Sequence, residues 1–315
     1  MHRTFSRNLK FAPVVLGLWA SGCGRGDASV VEVDAGLKLA QFFVGAYVAP
    51  GEVDRVVGEG PGGVTVDMAA WRSLAPDGVA EVEKLAEDGR LEREDLDTLL
   101  ARAYRETPGF PLALADFERE IGWRKSTESW WSFEMTGSMT RFRRRLFIRV
   151  AEVRDAVQSF SSGTGLRYPV GSVVVGEHLE ADQVVETTVM RRRADGFWDF
   201  AAYDAAGRLT SRIEGEPDAL VVPSDCFGCH YGDRAFEPEK SFPAPASSGV
   251  HGSREIVVPA DWRRTDVVRL FDEHSRRDDG LLGLYATLWV SSLVSGRQAG
   301  TLTEVDALVL QSLGF

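Results

Sequence analysis

The sequence predicts an α+β fold: an antiparallel β-meander with flanking helices, set between helical N- and C-terminal segments. Three observations carry this. Three β-branched or aromatic runs between residues 172 and 203 are separated by short turn signals. Apolar residues recur at helical spacing on both sides of them. The 315 residues are 44% hydrophobic and 26% charged, which is the composition of a folded chain with room for about two domains.

Taken in order, the chain opens on Arg3, Arg7 and Lys10 without an acid, followed by an apolar run from Phe11 to Ala20 that ends in Ser21, Gly22 and Cys23. A positive start, a short apolar stretch and small residues form an export signal. The stretch is too short for a permanent membrane span, which needs about 20 apolar residues. Ala20-Ser21-Gly22-Cys23 resembles a bacterial lipobox. That resemblance implies cleavage after residue 22, lipidation of Cys23, and a chain tethered in the bacterial cell envelope, on the periplasmic side or at the outer membrane.

Helices follow. Pro76 to Leu85 is one, and Leu91 to Glu106 is another, with Leu96, Leu99, Leu100 and Ala103 on one stripe and Pro108-Gly109 as its stop. Leu146 to Phe160 begins apolar and becomes helical. The meander comprises Ser172 to Val175, Val184 to Met190 and Phe197 to Tyr203, entered through the turn Tyr168-Pro169-Val170-Gly171. Glu237 to Gly252, rich in Pro, Ser, Gly and Ala, reads as a linker or as a loop around the site described next. Val267 to His274, the apolar Leu281 to Val294 and Thr303 to Leu313 read as C-terminal helices, the second one buried. Gly89 to Leu96 and Gly300 to Leu308 both look like helix entries with capping acids.

The formal charge of −11 argues against nucleic acid as a partner, because neutralising phosphates needs a surplus of Lys and Arg on some face. The chemistry lies elsewhere. Beyond Cys23, the remaining cysteines sit in Cys226-Phe227-Gly228-Cys229-His230, the C-x-x-C-H pattern of covalent c-type haem attachment. Two thiols must reach two vinyl groups of one porphyrin from one side, and the next residue places an imidazole under the iron. A disulfide, a zinc site and a redox dithiol are the competing readings. Zinc needs two further ligands, and His251 and His274 lack paired spacing. Bacterial c-type haem is attached after export, so signal and motif support each other.

Arg145 to Val150, Tyr168 to Val175, Gly196 to Tyr203 and the haem motif, in this succession, resemble the cytochrome P-460 family, whose relatives include the cytochromes c-prime-beta. The resemblance covers about residues 130 to 243. It implies a monohaem domain on an antiparallel sheet, one haem c attached at Cys226 and Cys229, His230 as axial iron ligand, and an open or weakly held distal site. Some members oxidise hydroxylamine through a lysine bonded to the porphyrin, and others bind nitric oxide or similar diatomics. This chain has no lysine between Lys125 and Lys240, so that cross-link has no obvious donor.

Trp198 and Phe200 share a face of their strand by alternation and are candidates for the distal pocket; the alternative is ordinary sheet core. His178 reads as a sixth ligand or as a surface residue beside Glu177 and Glu180. The runs Arg143 to Arg145 and Arg191 to Arg193 read as solvated edges or as neighbours of haem propionates. Glu186 or Asp199, if turned inward, would carry a proton. The expected organisation is a signal peptide over 1–22, a mostly helical N-terminal region over 23–129, a c-type haem domain over 130–245, and a linker with a helical C-terminal region over 246–315. The expected function is a lipid-anchored monohaem cytochrome that binds a small diatomic ligand such as nitric oxide or passes single electrons to a partner. The alternatives are a hydroxylamine or nitrogen-oxide oxidoreductase and a structural lipoprotein with a disulfide-bonded C-x-x-C.

Overall fold

The computed structural model describes residues 30–86, 89–106, 109–123, 129–137, 140–214, 219–231, 254–257, 267 and 283–315. The export signal with Cys23, the linker over 237–252 and nearly all of the helix expected at 267–274 lie outside the described residues. The fold is α+β.

The N-terminal region contains the expected helices and also a sheet. Strands β1 (Val30–Val33), β2 (Val57–Gly60), β3 (Gly63–Asp67) and β4 (Arg90–Leu91) form a four-stranded sheet in the order β2-β3-β1-β4. Val31, Val33, Val64 and Val66 are buried together. The expectation of a mostly helical region missed it because these strands are five residues or shorter, too brief for a period of two to stand out. Around it pack α1 (Leu37–Val44), α2 (Met68–Leu74), α3 (Pro76–Leu85) and α4 (Arg93–Glu106). The carboxylate of Asp67 caps α2, accepting from the amides of Ala69 and Ala70 at 2.9 Å each. The predicted stripe of α4 is buried at Leu96, Leu99 and Leu100.

The expected meander is the centre of a larger sheet. It comprises β5 (Trp130–Gly137), β6 (Thr140–Arg149), β7 (Val173–Glu180), β8 (Gln183–Arg192), β9 (Trp198–Tyr203) and β10 (Leu209–Thr210). After the small pair β11 (Arg212–Ile213) and β12 (Leu220–Val221) and the helix α7 (Ser224–Tyr231), β13 (Arg254–Val257) adds the seventh strand. The order is β10-β9-β8-β7-β6-β5-β13, with antiparallel neighbours.

Register decides which residues share a face. Ile148, Val174, Met190 and Phe200 lie on one rung, and Leu146, Gly176, Thr188 and Ala202 lie on the next. Arg144, His178 and Glu186 follow on a third. The opposite face buries Val173, Val175, Val189, Ala201 and Tyr203 under Phe110, Trp123, Trp130 and the Phe117 ring of α5 (Leu114–Ile121). On the Phe200 face, one continuous core joins the sheet to α6 (Val150–Ser161), α8 (Gly283–Ala299), α9 (Glu304–Ser312) and the N-terminal region. Helix α8 is buried as its apolar sequence predicts, with Trp289 and Val290 inaccessible and Tyr285 packed on Phe133 at 5.1 Å. Among the described residues, no helix is long and apolar enough to cross a membrane.

Candidate functional site

The C-x-x-C-H sequence forms the helix α7. Its start is set locally: the amide of Phe227 donates to the carbonyl of Pro223 at 2.8 Å, and the Asp225 carboxylate accepts from the amide of Val221 at 2.6 Å. With 3.6 residues per turn, positions 226, 229 and 230 fall on one side of this helix, and 227 and 231 on another. Cys226 and His230 are half-buried, whereas Phe227 is fully buried and Tyr231 nearly so. The side chain of Cys229 lies outside the described residues.

Helix α7 is anchored by aromatic rings. Phe227 stacks on Tyr231 at 4.9 Å and meets Phe42 of α1 at 4.8 Å. Phe197 closes edge-on against Phe42 at 5.6 Å and against Tyr231 at 5.2 Å. The amide of Trp198 donates to the Tyr231 hydroxyl at 2.8 Å, and burial of that hydroxyl raises its pKa. Phe200 lies flat beside His230, with ring centroids 5.4 Å apart and planes 26° from parallel. Phe200 therefore flanks the imidazole itself. Trp198 faces Tyr168 at 5.8 Å, with the Arg192 guanidinium over its ring.

Behind this cluster lies a buried ionic knot. The Arg193 guanidinium sits over the Phe42 ring at 4.9 Å, pairs with Asp195, and reaches Asp199 at 3.5 Å. Asp199 also accepts from the Tyr104 hydroxyl of α4 at 2.7 Å. Burial by itself would lower the Arg193 pKa, but Asp199 and Asp195 outweigh it and raise it. Gly45 closes the knot from outside: a Cβ there would stand 2.4 Å from the guanidinium and 2.5 Å from the Asp195 carboxylate. The expectation of a solvated Arg191 to Arg193 run is thus overturned. Arg192 and Arg193 are buried, and Arg191 donates to the carbonyl of Gly109. Tertiary partners neutralise charges that in sequence look like a hydrated run. The contributions of Phe42 and Tyr104 carried no sequence signal, because each acts across more than 90 residues of chain.

His178 is also not where a surface reading puts it. It is 1% exposed. Its Nδ1 faces Glu186 Oε2 at 3.5 Å, and its Nε2 lies 3.4 Å from the Thr188 hydroxyl. Burial, and then the nearby Arg144 charge, pull its pKa down to about 3, so at neutral pH this is a neutral imidazole and not half of an ion pair. Glu186 is buried as well and accepts from the amide of Glu214 at 2.9 Å. Of the two acids named as inward proton carriers, Asp199 is committed to the Arg193 knot, and Glu186 stands beside His178.

At the start of α6, Glu152 accepts from the amide of Val173 at 2.9 Å and pairs with Arg149 at 3.2 Å. Burial outweighs both contacts and pushes its pKa up to about 7. Among the described residues, no three His, Cys, Asp or Glu side chains gather into a separate metal site. Compared with known proteins, the chain matches no protein-family model, no curated protein and no solved structure.

Proposed function

We propose that the protein is an exported, lipid-anchored monohaem cytochrome c that binds a small diatomic ligand such as nitric oxide or passes single electrons. One observation carries this reading: C-x-x-C-H occupies a helix whose positions 226, 229 and 230 share a side, while the other side is locked into an aromatic core. That donor set fits a haem, which Cys226 and Cys229 would hold by thioether bonds and His230 would ligate through its imidazole. Haem supplies an iron that changes valence by one electron and coordinates small ligands.

The chain's own residues do the positioning. Phe200, stacked on His230, restrains rotation of the imidazole. Phe227 and Tyr231 hold the helix so that the histidine cannot retreat from its place. The buried Arg193 knot fixes the turn between β8 and β9 against α1 and α4. Lipidation of Cys23 would keep this assembly at a membrane surface, and the charge of −11 favours cationic over nucleic-acid partners.

The test is the visible spectrum of the dithionite-reduced full chain, produced with c-type maturation, before and after carbon monoxide. A haem band that shifts with carbon monoxide is the expected result for ligand binding. A sharp low-spin band that ignores it assigns electron transfer alone. A protein without haem sinks the proposal and leaves the disulfide reading.

A further inference from the structure

Phe42 and Phe43 are adjacent on α1 and equally buried, at 0% and 1% exposure, yet they serve different parts of the molecule. Successive helical positions point about 100° apart, and the two rings diverge accordingly. Phe43 turns into the N-terminal region, where it meets Tyr47 at 5.3 Å and Trp71 at 5.5 Å. Phe42 turns toward β9 and α7. Its ring meets Phe227 at 4.8 Å, Phe197 at 5.6 Å and Phe200 at 6.4 Å, all within the range of favourable aromatic pairs.

Two of the rings that Phe42 touches bear on one imidazole. Phe200 lies flat beside His230, at 5.4 Å and 26° from parallel. Phe227 stands three residues before His230 on the same helix, so a shift of its ring carries the helix and the histidine with it. Phe42 thus reaches His230 by two routes, through the strand beside the imidazole and through the helix that bears it. Its own place is fixed independently of its ring, because the Arg193 guanidinium donates to the Phe42 carbonyl at 3.4 Å. A smaller side chain at this position would leave α1 held and open space against both Phe200 and Phe227.

We propose that Phe42 is a positioning residue for His230, setting through Phe200 and Phe227 the orientation of the imidazole that would ligate the haem iron. This rests on the haem reading. It adds a residue of the N-terminal region to a site whose motif lies far along the chain, so that the region over 30–106 is part of the haem-binding unit and not an appendage to it. Residues that orient a metal's ligands tune the metal itself, which makes the role visible in properties of the iron.

The experiment compares full-length holoprotein as wild type, Phe42→Leu and Phe43→Leu, with haem content measured first. The two variants delete the same atoms from equally buried places on one helix, so both should lower the denaturant midpoint. What separates them is the reduction potential and the ferric EPR signal, whose anisotropy reports imidazole orientation. Phe42→Leu is expected to change the reduction equilibrium constant about threefold or more, which is about 30 mV for one electron, and to shift the EPR signal. Phe43→Leu is expected to leave both at wild-type values. Wild-type values in a haem-loaded Phe42→Leu overturn the proposal, as do equal shifts in the two variants, which mark a merely structural residue. Should Phe42→Leu fail to fold, Phe42→Met, whose flexible chain reaches further into the space left by the ring, is expected to shift both readouts by a smaller amount; wild-type values in it overturn the proposal. Wild-type protein without haem refutes the haem reading itself, and does so before any variant is compared.

Discussion

The two ends of the motif-bearing sheet face are built on opposite principles. At the α7 end, Phe42, Phe197, Phe200, Phe227 and Tyr231 touch ring to ring, and the buried Arg193 guanidinium beside them is matched by two carboxylates. At the β7–β8 end, a buried neutral imidazole meets a buried carboxyl group and a half-buried hydroxyl at only 3.5 and 3.4 Å, longer than good hydrogen bonds. Tight packing holds a group in place. Loosely satisfied polar groups cost stability. The α7 end is therefore the tightly held end and the His178 end the loosely satisfied one.

Substitutions test that contrast. The largest effect is expected from Arg193→Ala, which leaves Asp195 and Asp199 buried without their cation and should cost about 4 kcal/mol, read as the shift in denaturant midpoint. Phe227→Ala, which removes a fully buried ring from the centre of the aromatic cluster, should cost about 3 kcal/mol by the same measurement. A loss below about 1 kcal/mol in both would show that the cluster does not anchor the motif.

Glu152 gives a smaller, pH-dependent effect. Its folded pKa is raised from 4.5 to about 7, so the folded state binds the proton more tightly than the unfolded chain does. This contribution is fully present below pH 4.5 and is lost as pH rises through about 7. It amounts to about 2 to 3 kcal/mol. Unfolding free energy measured from pH 4 to 8 should show a decline over this window in wild type and a flatter profile in Glu152→Gln. The smallest effect belongs to the loosely satisfied end: Thr188→Val should change stability by about 1 kcal/mol or less, since its hydroxyl makes only long contacts. A cost equal to that of Phe227→Ala would erase the distinction between the two ends.

Much of the fold was legible from sequence where a pattern was long or its punctuation clear. The meander lies where Val173 to Val175, Val184 to Met190 and Trp198 to Tyr203 place it, because β-branched alternation between turns has few other solutions. Helix α8 is buried because its sequence is apolar on all sides. Thr303 caps α9, accepting from the amide of Asp306 at 3.1 Å, as its helix-entry pattern predicts. The N-terminal sheet escaped notice because its strands are too short to show periodicity. Strand β6 escaped because its charged half, Arg143 to Arg145, hides an alternation completed by neighbouring strands.

The sequence by itself determined the local geometry of the motif, since C-x-x-C-H lies in one helix and 3.6 residues per turn bring positions 226, 229 and 230 to one side. Burial and charge state were decided only by tertiary structure. His178, between two acids in sequence, becomes a neutral buried imidazole because its strand lies inside the sheet between β6 and β8, where it is closed off from water, and Arg144 lies on the adjacent strand. Arg193, the last of three arginines, becomes the centre of an ionic knot because α1 and α4 bring Phe42 and Tyr104 to it. Side-chain identity sets what a group can do, but the dielectric and the partners that set its protonation come from residues far away in the chain.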